Sequence, residues 1–456
     1  MDRTWRRCDI SLDFSLNYFG ENERHPEKYT GNIAVAAGSY CIKPLWSKKM
    51  VMPHIKNNTA IEDGSETTDE NNRLDRSLVL LIAVATGLTV ASIYYAQPLL
   101  EAIRGTLGMT ETSAGLIVTS SQLGYALGLV LLVPLGDICE RRNLVVIMTI
   151  GMAAGLAGIG FASSAILLII LSVIVGALSV VAQILVAFSA DLAGPAERGR
   201  VVGTVMSGLL LGVLLARTAA GILAQIGGWR SVFWSASVLM ILIAGMMYRG
   251  LPLYASSVRF GYRALLKSIP PLFREERVLR LRAAYGAIAF AIFSVLWTPL
   301  AFLLSKPPFN YSPGIIGLFG LAGVAGASAA SVAGRLADRG RDNRTTLAAI
   351  VLIIVSWLPI EFGRHTTWVL VLGIVLLDFG VQALHITNQS QIYRLCPEAR
   401  SRLTASYMAC FFAGGVVGSS LSSWTYAVWG WTGVCALGTV FGILALCTWT
   451  IDNLLF

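Results

Sequence analysis

From Ser77 onward the apolar residues of this chain fall neither in alternation nor in short amphipathic bursts. They form continuous runs, most of them approaching the roughly 20 residues that a membrane-spanning helix requires. Twelve such runs, at roughly 77–99, 112–135, 144–161, 165–190, 201–224, 231–249, 282–304, 314–334, 345–362, 368–392, 403–424 and 433–452, predict twelve transmembrane helices, α1 to α12. Most connections are short, so successive helices run antiparallel. The exception, Gly250 to Leu281, is basic and amphipathic and divides the chain into six plus six. The predicted organisation is an extension over 1–76, a first bundle over 77–249, a linker over 250–281 and a second bundle over 282–456.

The first 76 residues break the pattern. They carry polar tracts such as Asn57-Asn58-Thr59 and the acidic stretch from Asp63 to Glu70, and no apolar run long enough to cross a bilayer or to act as a signal core. A disordered tail is expected here. Met50 and Met52 stand just upstream of a short polar leader of the kind that precedes a first transmembrane helix, so residues 1–51 are expected to be dispensable for insertion.

Composition agrees with the pattern: 55% of residues are hydrophobic, 13% are charged, and the mean hydropathy is +0.67. The expected class is an all-α polytopic membrane protein embedded in a lipid bilayer. Net charge is +9, but its distribution argues for topology and against a nucleic-acid partner. Twenty-one Lys and Arg side chains, including Arg141, Arg198, Lys267, Arg341 and Arg400, fall at one set of helix ends, against Arg104, Arg230, Lys306 and Arg364 at the other. By the positive-inside rule, the basic end, the linker and both termini are cytoplasmic. Seven scattered cysteines show no metal-ligand or disulfide spacing. There is no nucleophile–base constellation and no Walker-type loop. Neither an enzyme nor an ATP-driven pump is expected, and no cofactor or metal.

The chemistry concentrates in α10. Asp378, Gln382, His385 and Gln389 are spaced four, three and four apart, which places them within an arc of about 60° on a helix. Asp378 is the sole acidic side chain near the middle of any predicted span, and His385 the sole histidine within one. A charge at that depth costs roughly 2.5–3.5 kcal/mol on insertion scales, so it points away from lipid and marks function. Weaker echoes of the stripe lie in α4, where Ser172, Gly176, Ser179 and Gln183 repeat the same spacing.

The two halves are copies. Pro98 and Asp137 match Pro299 and Asp338 at an offset of 201, while Pro195, Arg198, Arg200, Met206, Gly212 and Trp229 match Pro397, Arg400, Arg402, Met408, Gly414 and Trp431 at 202. Parallel duplication of this kind builds many secondary transporters, with the substrate site at the bilayer midplane between the halves. Val133-Pro-Leu-Gly136-Asp137-Ile-Cys-Glu140-Arg141-Arg142 and Gly334-Arg335-Leu-Ala-Asp338-Arg339-Gly340-Arg341 resemble the two copies of the loop motif of the major facilitator superfamily. In that family the motif acid meets the positive end of a helix from the other half and helps to latch the cytoplasmic side. The resemblance thus casts Asp137, Arg141, Asp338 and Arg339 as latch residues. The first copy departs from the family form at Val133, in place of the leading glycine, and at Ile138, in place of the arginine after the acid.

Tyr94-Tyr95-Ala-Gln97-Pro98 and Gln122-Leu-Gly-Tyr125 are similar to bacterial members grouped with drug/proton antiporters. Ser172 stands where that group often carries an arginine, and Arg217 stands where the antiporter motif of α5 has its proline. The resemblance implies that α1, α4, α7 and α10 line a central cavity. Tyr94, Gln97, Ser179, Gln183, Arg217, Phe290, Ser294, Trp297, Gln382 and Gln389 are then substrate-cavity residues, with Asp378 and His385 as proton carriers. The function it implies is a monomeric secondary transporter of the bacterial inner membrane that exports a small organic compound in exchange for protons. Proton-linked or facilitated uptake of a metabolite would use the same fold, and a non-transporting membrane sensor is the reading from another class. Arg217 and Asp378 are expected at similar depths, about 10 and 15 Å from their respective helix ends at 1.5 Å per residue. In a background without reactive native cysteines, labels at Lys267 and Arg341 should be reachable from the cytoplasm and labels at Lys306 and Arg364 from the opposite side. Reactivity of positions 267 and 306 from one side would overturn the six-plus-six topology.

Overall fold

The structure, a computed structural model, describes residues 74–254, 262–267, 269–323, 335, 342–395 and 400–455. The expected tail over 1–76 lies outside the described residues except for 74–76. All regular structure among the described residues is helical. Helix α1 runs Arg76–Ala91, breaks over 92–96, turns at Gln97–Leu99 and resumes as Leu100–Leu107. Next come α2 (Glu111–Leu131), α3 (Arg141–Phe161) and α4, made of Ala165–Leu178 and Val181–Leu192. Helices α5 and α6 share the run Arg198–Gly250 and fold back on each other at Gly228. In the second half α7 is Arg277–Trp297 continued by Leu300–Ser305, and α8 opens with Pro313–Leu318 and the turn Phe319–Ala322. Helices α9 (Asp342–Phe362) and α10 (Thr367–Tyr393) follow, and α11 and α12 share Arg400–Leu455, folded at Gly430. The described residues belong to twelve spans, six in each half, as the hydropathy pattern requires.

Three boundaries differ from the sequence expectation, each for a local reason. Proline at 98 has no N–H to offer, so α1 breaks there. It nevertheless continues because Leu99, Leu100 and Ile103 are fully buried, and it ends at Gly108 in the left-handed conformation. The linker is not featureless: it holds the short helices Tyr262–Lys267 and Ile269–Glu275. Helix α7 then begins at Arg277 rather than at Arg282, and Arg282 donates from inside it to Thr346 Oγ1 (3.1 Å) and Asn388 Oδ1 (3.4 Å).

The duplication is visible in the backbone. Both hairpins turn on a glycine with positive φ, Gly228 at 75° and Gly430 at 65°, a conformation that L side chains resist. The break of α1 at Pro98 has its counterpart at Pro299 in α7. Even an ion pair is repeated with its signs exchanged: Arg141 at the start of α3 meets Asp191 at the end of α4 (2.5 Å), and Asp342 at the start of α9 meets Arg394 after α10 (3.0 Å).

Side chains on the outside of the bundle are large and apolar. Leu80, Ile147, Ile166 and Leu358 are 60% or more exposed. In water such a belt would drive aggregation; in a bilayer it is solvated by acyl chains. Because lipid supplies no hydrophobic force between helices, the interior packs through small residues. Helices α1 and α5 cross at Gly87, Gly208 and Gly212, and α7 and α11 cross at Gly414 and Gly418, with Gly414 the repeat mate of Gly212. A Cβ on Gly212 would stand 2.2 Å from Gly87 O, and one on Gly414 1.9 Å from Ala287 O.

Among the described residues, polar contacts join the halves at the end opposite the basic loops. There Lys306 pairs with Glu111, Thr218 Oγ1 donates to Gly317 O (3.0 Å) and Ser312 Oγ donates to Gln225 Oε1 (3.4 Å). At mid-depth Gln122 of α2 donates to Ser294 Oγ (3.0 Å) and accepts from Ser419 Oγ (3.1 Å), with Thr119 hydrogen-bonded to Ser419 (2.9 Å). In detergent, Gly212→Ala should lower the thermal unfolding temperature, the overpacking costing about 1–3 kcal/mol. Gly245→Ala, whose Cβ would meet nothing within 4 Å, should stay within about 0.5 kcal/mol of the parent. Equal effects would show that the α1–α5 crossing is not tight.

Candidate substrate and proton site

The stripe of α10 faces the interior along its whole length, but its burial is graded. Asp378 is 6% exposed, whereas Gln382, His385 and Gln389, progressively nearer the basic end, are half-buried. The carboxylate is held by Trp297 of α7, whose indole Nε1 donates to Asp378 Oδ1 at 3.1 Å. Trp297 also carries a second partner on its face. The guanidinium carbon of Arg217, from the other half, lies 4.1 Å from the indole centroid, 4.9 Å from that of Tyr94 and 5.4 Å from that of Phe293. Arg217 Nε donates to Gln97 Oε1 at 2.6 Å.

Arg217 and Asp378 therefore share a depth and one aromatic side chain, and each acts electrostatically on the other. No direct ion pair joins them among the described residues. Arg217 is 3% exposed and its Nη2 is buried without a hydrogen-bond partner. Glycines make this approach possible. Helix α8 lays Gly317, Gly320 and Gly323 against α5: a Cβ at 317 would be 2.5 Å from Arg217 O, and one at 320 would be 2.9 Å from Arg217 Cβ. The guanidinium thus sits in the joint between the halves, covered by a helix of the opposite half.

From this pair an aromatic wall runs toward the basic end. Trp297 contacts Phe293 (5.9 Å between centroids), Phe293 stacks on Phe290 (5.5 Å), Phe290 on Phe411 (4.3 Å), and Phe411 meets His385 (4.6 Å). Tyr125 closes the wall from α2 through Phe412 (4.1 Å), and Gln183 donates to Tyr125 Oη (3.2 Å). His385 Nδ1 lies 2.9 Å from Tyr407 Oη, and Gln389 Nε2 is 4.0 Å from Met408 Sδ.

Tyr94, Gln97, Arg217, Trp297 and Asp378 are brought together at the deep end, and Phe290, Gln183 and His385 line the wall. Two sequence candidates face elsewhere. Ser179 packs inside the first half against Ser92 Oγ (2.7 Å) and Met152 Sδ (3.4 Å), and Ser294 is taken up by Gln122. Phe293, Phe411, Phe412 and Tyr407 escaped the sequence reading. The spacing Phe290, Phe293, Trp297 was the available signal for the first, since residues three and four apart share a helix face. An apolar hollow of about 430 Å³ flanks α1 and α5, but Leu80, Val84, Leu211 and Leu215 line it and it carries no charged group.

At the basic end Arg141 Nε donates to Gly136 O (2.8 Å), and its Nη groups reach Asp191 (2.5 Å) and Asp137 (3.6 Å). Arg402, in the first turn of α11 from the other half, acts electrostatically on Asp137. Glu140 ties the end of α6 into the same turn. Burial disfavours its charged form, but the N–H groups of Asn143, Tyr254 and Arg142 outweigh this and hold its pKa below the ordinary carboxyl value. Asp338 and Arg339, the second copy, lie outside the described residues.

Twelve helices in two repeated bundles around a sparse polar core define a secondary-transporter architecture. The profile of the Major Facilitator Superfamily matches residues 82–358 and 286–453, and the chain belongs to that family. It is similar to the Escherichia coli (strain K12) protein YgaY, named as a transporter, with 51% identity over 382 residues, 84% of this chain and 97% of that one. It is also similar to the Streptomyces coelicolor protein SCO4007, likewise named as a transporter, at 33% identity over 82% of this chain and 86% of the other. Among solved structures, a bacterial homolog of the human lysosomal transporter Spinster, inward-facing and unoccupied, shares the fold with a TM-score of 0.67 at 15% identity, covering 85% of this chain and 97% of that one. The protein is a membrane transporter and not an enzyme.

Trp297→Phe retains a ring for Arg217 and removes the donor to Asp378. In detergent it should cost about 1–3 kcal/mol of stability, the penalty for a buried charged acceptor losing its partner. The same substitution in an Asp378→Asn background should cost measurably less. Equal costs in the two backgrounds, read as a double-mutant cycle, would show that the indole does not support the carboxylate.

Proposed function

We propose that the protein is a proton-coupled exporter of a small organic compound, acting as a monomer in the bacterial inner membrane with both termini in the cytoplasm. The observation that carries the reading is the Arg217–Trp297–Asp378 cluster, because it bridges the two halves and combines a fixed charge with a variable one. Arginine keeps its proton under working conditions; a carboxylate does not have to. While Asp378 is ionised, its attraction for Arg217 favours the arrangement in which α5 and α8 are closed at the far end. A proton on Asp378 removes that attraction, and a substrate inserted between the two groups replaces it.

The empty, ionised site is therefore locked, and either a proton or a substrate releases it. That is the condition for exchange: the transporter changes state with one cargo or the other, and idle cycling that would dissipate the gradient is suppressed. Each cargo can shift the equilibrium only by its differential interaction with the two states, and Asp378 supplies that difference for the proton. The aromatic wall toward His385 forms the cytoplasmic approach to the site, with Gln183, Gln382 and Gln389 as its polar handles. His385, about 10 Å from Asp378 along α10 at 1.5 Å per residue, is the second proton-carrying candidate. The latch at Asp137 and Arg141 acts at the cytoplasmic side in the same cycle.

The sign of the pH effect follows. Closure at the far end is favoured when Asp378 is ionised and is weakened as pH falls through its titration. Spin labels at Gln225 and Ser312, which now touch across the halves, should move apart as pH falls in the parent and stay at one separation in Asp378→Asn. In a compound-accumulation screen, Asp378→Asn should abolish gradient-driven movement and retain substrate exchange, with Arg217→Lys partly active. Undiminished gradient-driven transport by Asp378→Asn would remove the aspartate as the coupling site and pass the role to His385.

A further inference from the structure

Aromatic faces gathered around one buried carboxylate ordinarily suit an organic cation, because ring faces and carboxylate are both electronegative. Here those faces are already occupied. The guanidinium of Arg217 lies over Tyr94, Phe293 and Trp297, and a second cation reaching Asp378 would meet that fixed charge in surroundings that screen it poorly.

The hydrogen-bonding vacancies define what fits instead. Arg217 Nη2 is a buried donor without an acceptor. On Asp378, Trp297 serves Oδ1, while Oδ2 faces Gly323, where a Cβ would already stand 3.6 Å away. An occupant must bring an acceptor to the arginine and a donor to the ionised aspartate. A carboxylate would satisfy the first and be repelled by the second; an ammonium would do the reverse. A hydroxyl group both accepts and donates, and two adjacent hydroxyls can serve both partners at once. Phe290 and Phe411, stacked on each other beyond the guanidinium, make the approach for the carbon skeleton of such a molecule apolar.

Resting on the reading of this cluster as the transport site, we propose that the substrate is a neutral hydroxylated compound with an apolar face, whose adjacent hydroxyls accept from Arg217 Nη2 and donate to Asp378. Arg217 is then the residue that rejects organic cations. Substrate and proton compete for the same carboxylate oxygen, so apparent affinity rises with pH as Asp378 ionises. Among the described residues, the charged and titratable groups around that carboxylate are Arg217 from α5, with Tyr94 of α1 behind it, and His385 two turns along its own helix. Helices α7 and α8 present Trp297 and Gly323, which do not titrate.

The test uses the full chain in proteoliposomes and measures exchange flux of labelled xylose, glucose and o-nitrophenyl β-D-galactoside as neutral hydroxylated probes. Tetraphenylphosphonium serves as the cation and benzoate as the anion. At least one neutral probe should exchange about tenfold or more faster than either charged one, because a charged probe leaves one buried group without its partner. Its KM should fall as pH rises. Arg217→Gln should slow that probe and admit tetraphenylphosphonium, while Arg217→Lys, which keeps the charge, should continue to exclude it. The proposal is overturned if the parent exchanges a charged probe faster, if no neutral probe exchanges, or if the KM falls with falling pH. Should a charged probe prevail and its gradient-driven flux still vanish in Asp378→Asn, the substrate class alone is wrong and the coupling role of the aspartate stands.

Discussion

The structure turns on a guanidinium buried where two halves of the molecule meet. Arg217 belongs to the first half, but the ring it lies closest to, Trp297, belongs to the second, and that ring's N–H holds the carboxylate of Asp378. A buried charge is tolerated only where neighbours supply charge, dipoles or polarisable faces. The surrounding packing can be understood as meeting that demand. Gln97 is positioned by the break of α1 at Pro98, and the glycines of α8 bring a second helix close enough to cover the arginine. If α5 and α8 separate, those partners separate with them. The stability of the closed end and the electrostatics of the site are therefore one quantity.

The remaining contacts between the halves divide the work by depth. Charges at the far end, Lys306 with Glu111, lie near water and contribute little each. Uncharged groups at mid-depth, Gln122 with Ser294 and Ser419, are buried and would be costly to leave unpaired. The groups near water can exchange partners with solvent, whereas those at mid-depth have no solvent to turn to. Toward the basic end the site continues as aromatic surface, ending at His385 and Tyr407. Beyond them Arg282 joins Asn388 to Thr346, next to the Asp342–Arg394 pair.

Duplication explains why both halves contain the same breaks and hairpin glycines while their chemistry differs. Gln183 occupies the position of His385, and the pair Arg141–Asp191 returns as Asp342–Arg394 with its signs exchanged. Packing is constrained by the bilayer, which acts on both halves alike. Charge placement is constrained by the site, which takes a cation from one half and an anion from the other.

The chain alone determined the number of spans, their six-plus-six division and the polar stripe of α10, because the bilayer enforces length and apolarity segment by segment. It also marked Arg217 and Asp378 as costly and of similar depth, since depth follows from rise per residue. What tertiary structure decided is which faces meet. Ser179 and Ser294 carried the same apparent polarity as Gln97, yet one packs within the first half and the other is claimed by Gln122. Phe411, Phe412 and Tyr407 became part of the wall only because α11 is rotated toward α2 and α7. Most decisively, Trp297 joins the two charges through contacts with residues at least eighty positions away in the chain, and helical periodicity carries no information about such rotations. They are set by the fit of glycine against backbone at each crossing.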